Sequence, residues 1–376
     1  MKISIDNSLP SGDIIFIDVS AYIFSWRLLH CNYKRGYLKR RIRMRVSYDE
    51  LKNEFKRVLE SRGFSSEDAD KAASVFADNS LDGIYSHGIN RFPRVVEYLD
   101  RGSIKPENVA TVECSFMAFE RWNGHRGFGP LNARKAMDRA VELAKTYGIG
   151  VVALGNNNHW MRGGSYGWQA ANQGCIGICW SNTQPNMPAW GGMDKKIGNN
   201  PFIIAIPKSN GQHVVVDCAV SQFSYGKIEE YKLKGKQLPV YGGYDTKGQL
   251  TTDPAEIEKS WRVLPMGYWK GSGISIALDA VATVLTNANS VAKIGTFGDE
   301  VGLSQVMIAI NPGAANTTEL TDSIVEEIVN DIKSSIPERE GGTVFYPGEI
   351  EWNTRRDNLE NGIPVIDEVW EKIKNL

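Results

Sequence analysis

The segment Tyr85-Ser86-His87-Gly88-Ile89-Asn90-Arg91-Phe92-Pro93-Arg94 places an imidazole, a hydroxyl and a guanidinium close together in the chain. An imidazole exchanges protons near neutral pH. A guanidinium holds a carboxylate through two parallel hydrogen bonds. Together these groups suit proton transfer on a small anionic carbonyl compound. Arg91 follows His87 by four residues, roughly one turn if the segment is helical. The same residues also read as a capped loop with a surface arginine, and the segment alone leaves both readings open.

A second constellation is Gly155-Asn-Asn-Asn158-His159-Trp160-Met161-Arg162-Gly163-Gly164-Ser165, which follows a strand-like run and opens a helix. Amides at a helix start, with glycines beside them, approach an anionic ligand closely. His159 equally reads as a loop histidine with its hydrogen bonds satisfied. Trp160, Arg162 and Trp168 either line a pocket for a hydroxylated carbon tail or leave the tryptophans in the core.

Other segments must position these groups. Ser47 and Glu50 form a capping box for a helix with Leu51, Phe55, Val58 and Leu59 on one face, ended by Gly63. Ser65-x-x-Asp68 opens a second helix through Ala69, Ala72, Ala73 and Phe76 that runs into the histidine loop. Residues 91–101 read as a third helix, closed by Gly102. Residues 44–120 thus form a small helical unit that displays His87, completed by C-terminal helices within 330–376.

Residues 121–330 read as a mixed-sheet domain. A helix spans Pro130 to Tyr147, and strands are expected at Ile149–Leu154, Ile176–Trp180, Phe202–Ile206, His213–Asp217 and Gln305–Ile310. A long apolar helix runs from near Gly271 to about Asn287, and residues 228–260, which lack period, read as a surface flap. Helices near 322–335 and 367–375 close the chain.

Several chemistries are excluded. No Gly-x-Gly-x-x-Gly follows a first strand; the nearest imitation, Gly127-Phe-Gly129-Pro-Leu-Asn132, lacks the third glycine. No P-loop is present. A formal net charge of −1 points away from nucleic acid and anionic membranes. Five cysteines, with Cys175 and Cys179 in an apolar run, fit a reducing, cytoplasmic compartment. Five scattered histidines show no metal-ligand spacing.

Residues 1–43 differ in character. An apolar run from Ile14 to Trp26, interrupted by Asp18, precedes a basic patch from Lys34 to Arg43, the reverse of a secretory signal. It is too short to span a bilayer. The expectation is that Met44 is the initiator and residues 1–43 an upstream extension; a membrane-surface anchor is the alternative.

Six motifs in order resemble the malate/L-lactate dehydrogenase type 2 family of NAD(P)-dependent oxidoreductases. They are Ser86-His87-Gly-x-x-Arg91, Asn158-His159-x-x-x-Gly, Ile197-Gly-Asn-Asn-Pro201, Val216-Asp217, Ser224-Tyr-Gly-Lys227 and Trp269-Lys270-Gly271, spread over about 44 to 374. The resemblance implies an α/β (α+β), non-Rossmann, L-sulfolactate-dehydrogenase-like fold, with a mixed, largely antiparallel sheet flanked by helices, in a homodimer. It implies cofactor contacts at His213, Val214, Val215, Val216, Asp217, Cys218 and Ala219, at Trp269 and Lys270, and at Gly348, Glu349 and Ile350. Lys270 can neutralise a phosphate, Asp217 can accept from a ribose hydroxyl, and Gly348 permits close main-chain approach. Val214 to Val216 also read simply as a buried strand.

The resemblance makes His87 the proton donor in reduction of a 2-oxo acid, Arg91 the partner of the substrate carboxylate, and His159 either a second substrate contact or the rival acid. The longer strings around His87 and His159 resemble one branch of that family, which implies a sugar-acid substrate. NAD (as NADH) is preferred because no arginine is placed to meet a 2′-phosphate, with NADPH still open. No metal is expected. The remaining alternatives are another 2-hydroxy acid dehydrogenase of the family and a silent nucleotide- or sugar-acid-binding relative.

Overall fold

Polar caps decide where the first helices begin. Ser47 Oγ accepts from Glu50 N at 3.2 Å and Ser65 Oγ from Asp68 N at 3.1 Å, opening the helices Tyr48–Glu60 and Ser66–Leu81. The computed structural model describes residues 44–376, so the expectations for residues 1–43 lie outside the described residues. The first two helices and helix Phe92–Asp100 bury a phenylalanine cluster, with ring centroids 4.3 Å apart for Phe55 and Phe92 and 5.1 Å for Phe76 and Phe92. Strand Met44–Val46 pairs antiparallel with Ile363–Val365, and Trp370 and Ile373 of helix Asp367–Lys374 enter the same core. Both ends of the described chain therefore support the loop that carries His87.

The central sheet has seven strands: β1 Thr111–Phe116, β2 Phe119–Asn123, β3 Ile149–Asn157, β4 Ile176–Ser181, β5 Phe202–Ile206, β6 Val214–Cys218 and β7 Leu303–Ile310. Their spatial order is β1-β2-β3-β7-β4-β5-β6. The β2–β3 pair is parallel and every other neighbour pair is antiparallel. This is the mixed, largely antiparallel sheet that the resemblance implies.

Strand periodicity divides the core in two. Val152, Leu154, Cys179, Ile203, Met307 and Ala309 pack against helices Gly129–Tyr147 and Gly164–Asn172 on one face. Val151, Ile178, Trp180, Val306 and Ile308 meet helix Trp269–Thr286 on the other. Gly148, at φ 85°, ends Gly129–Tyr147 and turns the chain directly into β3.

Three segments differ from the sequence expectation. The hairpin β1–β2 crosses the 120/121 boundary and belongs to the sheet rather than to the helical unit; β1 is exposed along its whole length, so burial imposes no apolar period there. Residues 228–260 do not form a structureless flap: the segment takes in most of helix Tyr225–Leu233, a short hairpin and helix Pro254–Ser260. Its buried anchors Ile228, Leu238 and Ile257 are widely spaced, which hides them from a periodicity reading. Helix Glu349–Asn361 also went unanticipated; it buries only Asn358, so it has no apolar stripe to read.

Candidate active site

His87 ends the 3₁₀ turn Tyr85–His87, and a loop pinned to helix Ser66–Leu81 follows it. Asn79 Nδ2 donates to His87 O at 3.0 Å, and Ile89 N donates to Ser80 Oγ at 2.9 Å. Gly88 lies against that helix so closely that a Cβ would meet Ser80 Oγ at 2.2 Å and Phe76 O at 2.9 Å. Glycine is required there by space. His87 and Arg91 therefore do not share one α-helix; a 3₁₀ turn and a tight loop bring Arg91 to the N-cap position of helix Phe92–Asp100.

The loop after β3 brings in the second histidine. His87 and His159 stack, with ring centroids 5.9 Å apart and planes 17° from parallel. Asn158 anchors this loop by donating to Arg126 O (2.7 Å) and Gly127 O (3.0 Å). Gly129 is needed where the start of helix Gly129–Tyr147 abuts this loop, because a Cβ there would meet the carbonyl oxygens of Asn158 and His159 at 2.4 Å. The glycines that imitate a phosphate-cradling fingerprint thus serve packing.

The two imidazoles differ in their hydrogen bonds. His159 Nδ1 accepts from Met161 N at 3.0 Å, which leaves the neutral ring with its proton on Nε2. His87 Nδ1 lies 3.1 Å from Ser86 Oγ, a hydroxyl able to give or take the hydrogen. Burial, then the Arg91 charge, pushes His87 down to about 4. The same two causes, with His87 as a third, hold His159 well below its ordinary value. Arg91 Nε is itself buried without a partner in the chain, a donor that a ligand carboxylate would satisfy.

An ion network centred on the buried Arg162 lies beside this group and runs out to the half-exposed Arg355 and Asp78. Arg162 Nη1 meets Asp82 Oδ2 at 2.5 Å and Arg162 Nε meets Asp217 Oδ2 at 3.3 Å. Gly164 N also donates to Asp217 Oδ2 at 3.0 Å. Asp82 continues to Arg355 at 2.8 Å and Arg355 to Asp78 at 2.9 Å. Arg162 is thereby committed to structure and does not line an open pocket. Trp160 is core, stacked on Tyr166 at 5.1 Å, and Trp168 packs with Trp352 and His213.

The other expected residues fall around the outer strand β6. Val214 to Cys218 form it, with Ala219 just beyond. Gly348, at φ 96°, sits on this strand; a Cβ there would come within 3.0 Å of His213 O and 3.1 Å of Val215 N. Val215 N donates to Pro347 O at 2.9 Å, which sets Glu349 and Ile350 beside β6 at the start of helix Glu349–Asn361. Trp269 and Lys270 are exposed at the start of helix Trp269–Thr286, where Gly271 packs against Val220 O. The His213 ring is occupied at both nitrogens, by Lys208 N at 2.9 Å and Asn172 Oδ1 at 2.8 Å. Only its main chain is available to a ligand.

A family model described as malate/L-lactate dehydrogenase matches residues 46–374. The chain belongs to the malate/L-lactate dehydrogenase family. As a member of this family it is an oxidoreductase. The 2,3-diketo-L-gulonate reductase of Haemophilus influenzae is 48% identical over 334 residues, covering 89% of this chain and 100% of that protein. The enzyme of the same name from Salmonella typhimurium is 47% identical over the same shares. Sulfolactate dehydrogenase from Methanocaldococcus jannaschii superposes with a TM-score of 0.79 at 32% identity, covering 88% of this chain and 96% of that one. Malate dehydrogenase from Entamoeba histolytica superposes with a TM-score of 0.83 at 26% identity, covering 89% and 98%.

One group in this family member's site escaped the sequence reading. Glu300 places Oε2 3.8 Å from Arg91 Nη2. It stands in a glycine-flanked acidic turn far along the chain, and no local pattern marks it.

Proposed function

We propose that this chain reduces 2,3-diketo-L-gulonate to 3-dehydro-L-gulonate, consuming NADH and one proton, with His87 as proton donor. The observation that carries the reading is the histidine pair beside an arginine whose buried Nε lacks a partner. The relatives that bear the reductase name support the substrate.

The residues around β6 fit a nicotinamide dinucleotide. Exposed Lys270 would meet a phosphate and Asp217 would accept from a ribose hydroxyl, while Gly348 lets the start of helix Glu349–Asn361 lie directly against β6. Main-chain groups from His213 to Ala219, together with Trp269, Glu349 and Ile350, complete that surface. When bound, NADH supplies the hydride to the C2 carbonyl.

The chain's own residues bind, orient and protonate. Arg91 takes the substrate carboxylate, satisfying Nε and offsetting the charge that depresses His87. His87 then gains a proton more readily, and it delivers that proton to the oxygen developing at C2. His159, locked with its hydrogen on Nε2, serves as a fixed donor to a substrate oxygen.

The reading extends to a cytoplasmic homodimer. Cys114, Cys175, Cys179 and Cys218 are free thiols. Helix Trp269–Thr286 exposes Ile276, Val281 and Val284, an apolar face suited to a second copy.

NADH oxidation with 2,3-diketo-L-gulonate beside pyruvate and oxaloacetate tests the substrate. Turnover selective for the diketo acid is expected. Activity only on the simpler acids would keep the family and discard this substrate, and no turnover with NADH still bound would leave a binding protein.

A further inference from the structure

The arginine that anchors the substrate already faces a carboxylate. Glu300 lies in the turn between helix Val291–Ile294 and β7. Its Oε2 is 3.8 Å from Arg91 Nη2, with 11% of the acid's side chain and 20% of the arginine's exposed. That separation is too long for a hydrogen bond, so the two charges attract without closing the space between them. Glu300 Oε1 accepts from Gln184 N at 3.3 Å. The turn itself is fixed, since Asn289 Nδ2 donates to Gly302 O at 2.8 Å and Gly302 N to Asn158 Oδ1 at 3.4 Å.

The nearby charges leave little to balance a second anion. Arg94, the next cation on this helix, is exposed, its guanidinium is held by Tyr98 Oη at 2.8 Å, and its charge already bears on Glu300. Asp299 is engaged outward by Arg101 at 3.7 Å and Ser103 Oγ at 2.9 Å. Arg91 can match one ligand carboxylate. A second anionic group nearby would confront Glu300 where solvent screening is weak, whereas a hydroxyl would find in Glu300 an acceptor.

We propose that Glu300 sets the charge specificity of the site, admitting singly charged, hydroxylated 2-oxo acids and disfavouring those with a second carboxylate or a sulfonate. This rests on Arg91 holding the substrate carboxylate. Discrimination here comes from a repulsive element against the wrong ligand as much as from attraction to the right one.

The test compares kcat/KM for 2,3-diketo-L-gulonate and oxaloacetate in the wild-type protein and in Glu300→Gln, whose side chain keeps an oxygen for Gln184 N. The variant should shift the ratio toward oxaloacetate by at least about tenfold, through a lower KM for oxaloacetate. An unchanged ratio in an active, folded variant overturns the proposal. A second measurement needs no variant: wild-type protein with 2-oxoglutarate and its C5 monoamide. The neutral amide should be preferred by at least about tenfold, and equal use of both would also overturn the proposal. Absence of wild-type turnover on every 2-oxo acid would instead sink the reductase reading, and this proposal with it.

Discussion

His87 and His159 lie face to face, ring centroids 5.9 Å apart, yet only His87 has a partner that can reverse its role in the hydrogen bond. The backbone N–H of Met161 holds His159 Nδ1 as an acceptor. Protonating that nitrogen would break the bond and leave a buried donor unsatisfied. This difference in partners is what supports the proposed division into a proton carrier, His87, and a fixed donor, His159.

Replacing each histidine separates these roles. His87→Asn should lower kcat about 100- to 10,000-fold, while His159→Asn should act more on KM, because an amide can still donate to a substrate oxygen. Steady-state kinetics with folding checked by circular dichroism measures both. A variant pair in which His159→Asn abolishes turnover and His87→Asn spares it would reverse the assignment.

The pH profile carries a definite sign. Under the proposed mechanism the active form for reduction has His87 protonated, and burial with Arg91 pushes that group down to about 4 in the free protein. The protonated fraction falls as pH rises above this value, so kcat/KM for reduction should decline steadily from pH 5.5 to 8. With substrate neutralising Arg91, the profile of kcat should stay level to a higher pH than that of kcat/KM. Coincident profiles would show that substrate does not lift His87.

Arg91→Lys keeps the charge and loses the planar fork. Loss of the paired hydrogen bonds with the charge retained should cost about 1.5–3 kcal/mol in kcat/KM. Titration of NADH binding by fluorescence should be unaffected, since Arg91 is assigned to substrate alone. An equal loss of NADH affinity would place Arg91 in the cofactor site.

Gly88→Ala forces a Cβ to within 2.2 Å of Ser80 Oγ. The loop must shift, carrying His87 with it, at a cost of about 1–3 kcal/mol. A lowered Tm with a disproportionate fall in kcat is expected from calorimetry and kinetics together. An unchanged kcat would mean that the loop position does not matter to proton transfer.

Val284 is 76% exposed on helix Trp269–Thr286. If this face pairs two copies as proposed, Val284→Glu should give a monomer in multi-angle light scattering where the wild-type protein gives a dimer, by placing a charge in an apolar interface. A variant that remains dimeric would move the interface elsewhere.

Much of the architecture was legible from local patterns. Helix Gly129–Tyr147, strands β3 to β7 and helix Asp367–Lys374 stand near their expected positions, because caps, glycine stops and apolar runs act over a few residues. The hairpin β1–β2 and helix Glu349–Asn361 were missed because neither buries a regular face. The anchors of the 228–260 segment were missed because they are single residues that find partners far away in the chain.

The site divides along the same line. Short motifs in the sequence single out His87, Arg91 and His159 as candidates, and the family resemblance adds the β6 residues. Only the tertiary structure decided that the two imidazoles stack, that His213 spends its ring on Lys208 and Asn172, and that Arg162 is locked between Asp82 and Asp217. It alone set Glu300 opposite Arg91. Hydrogen bonds and buried charges depend on which distant segments share a space, and that is settled when the sheet and the helical unit close around them.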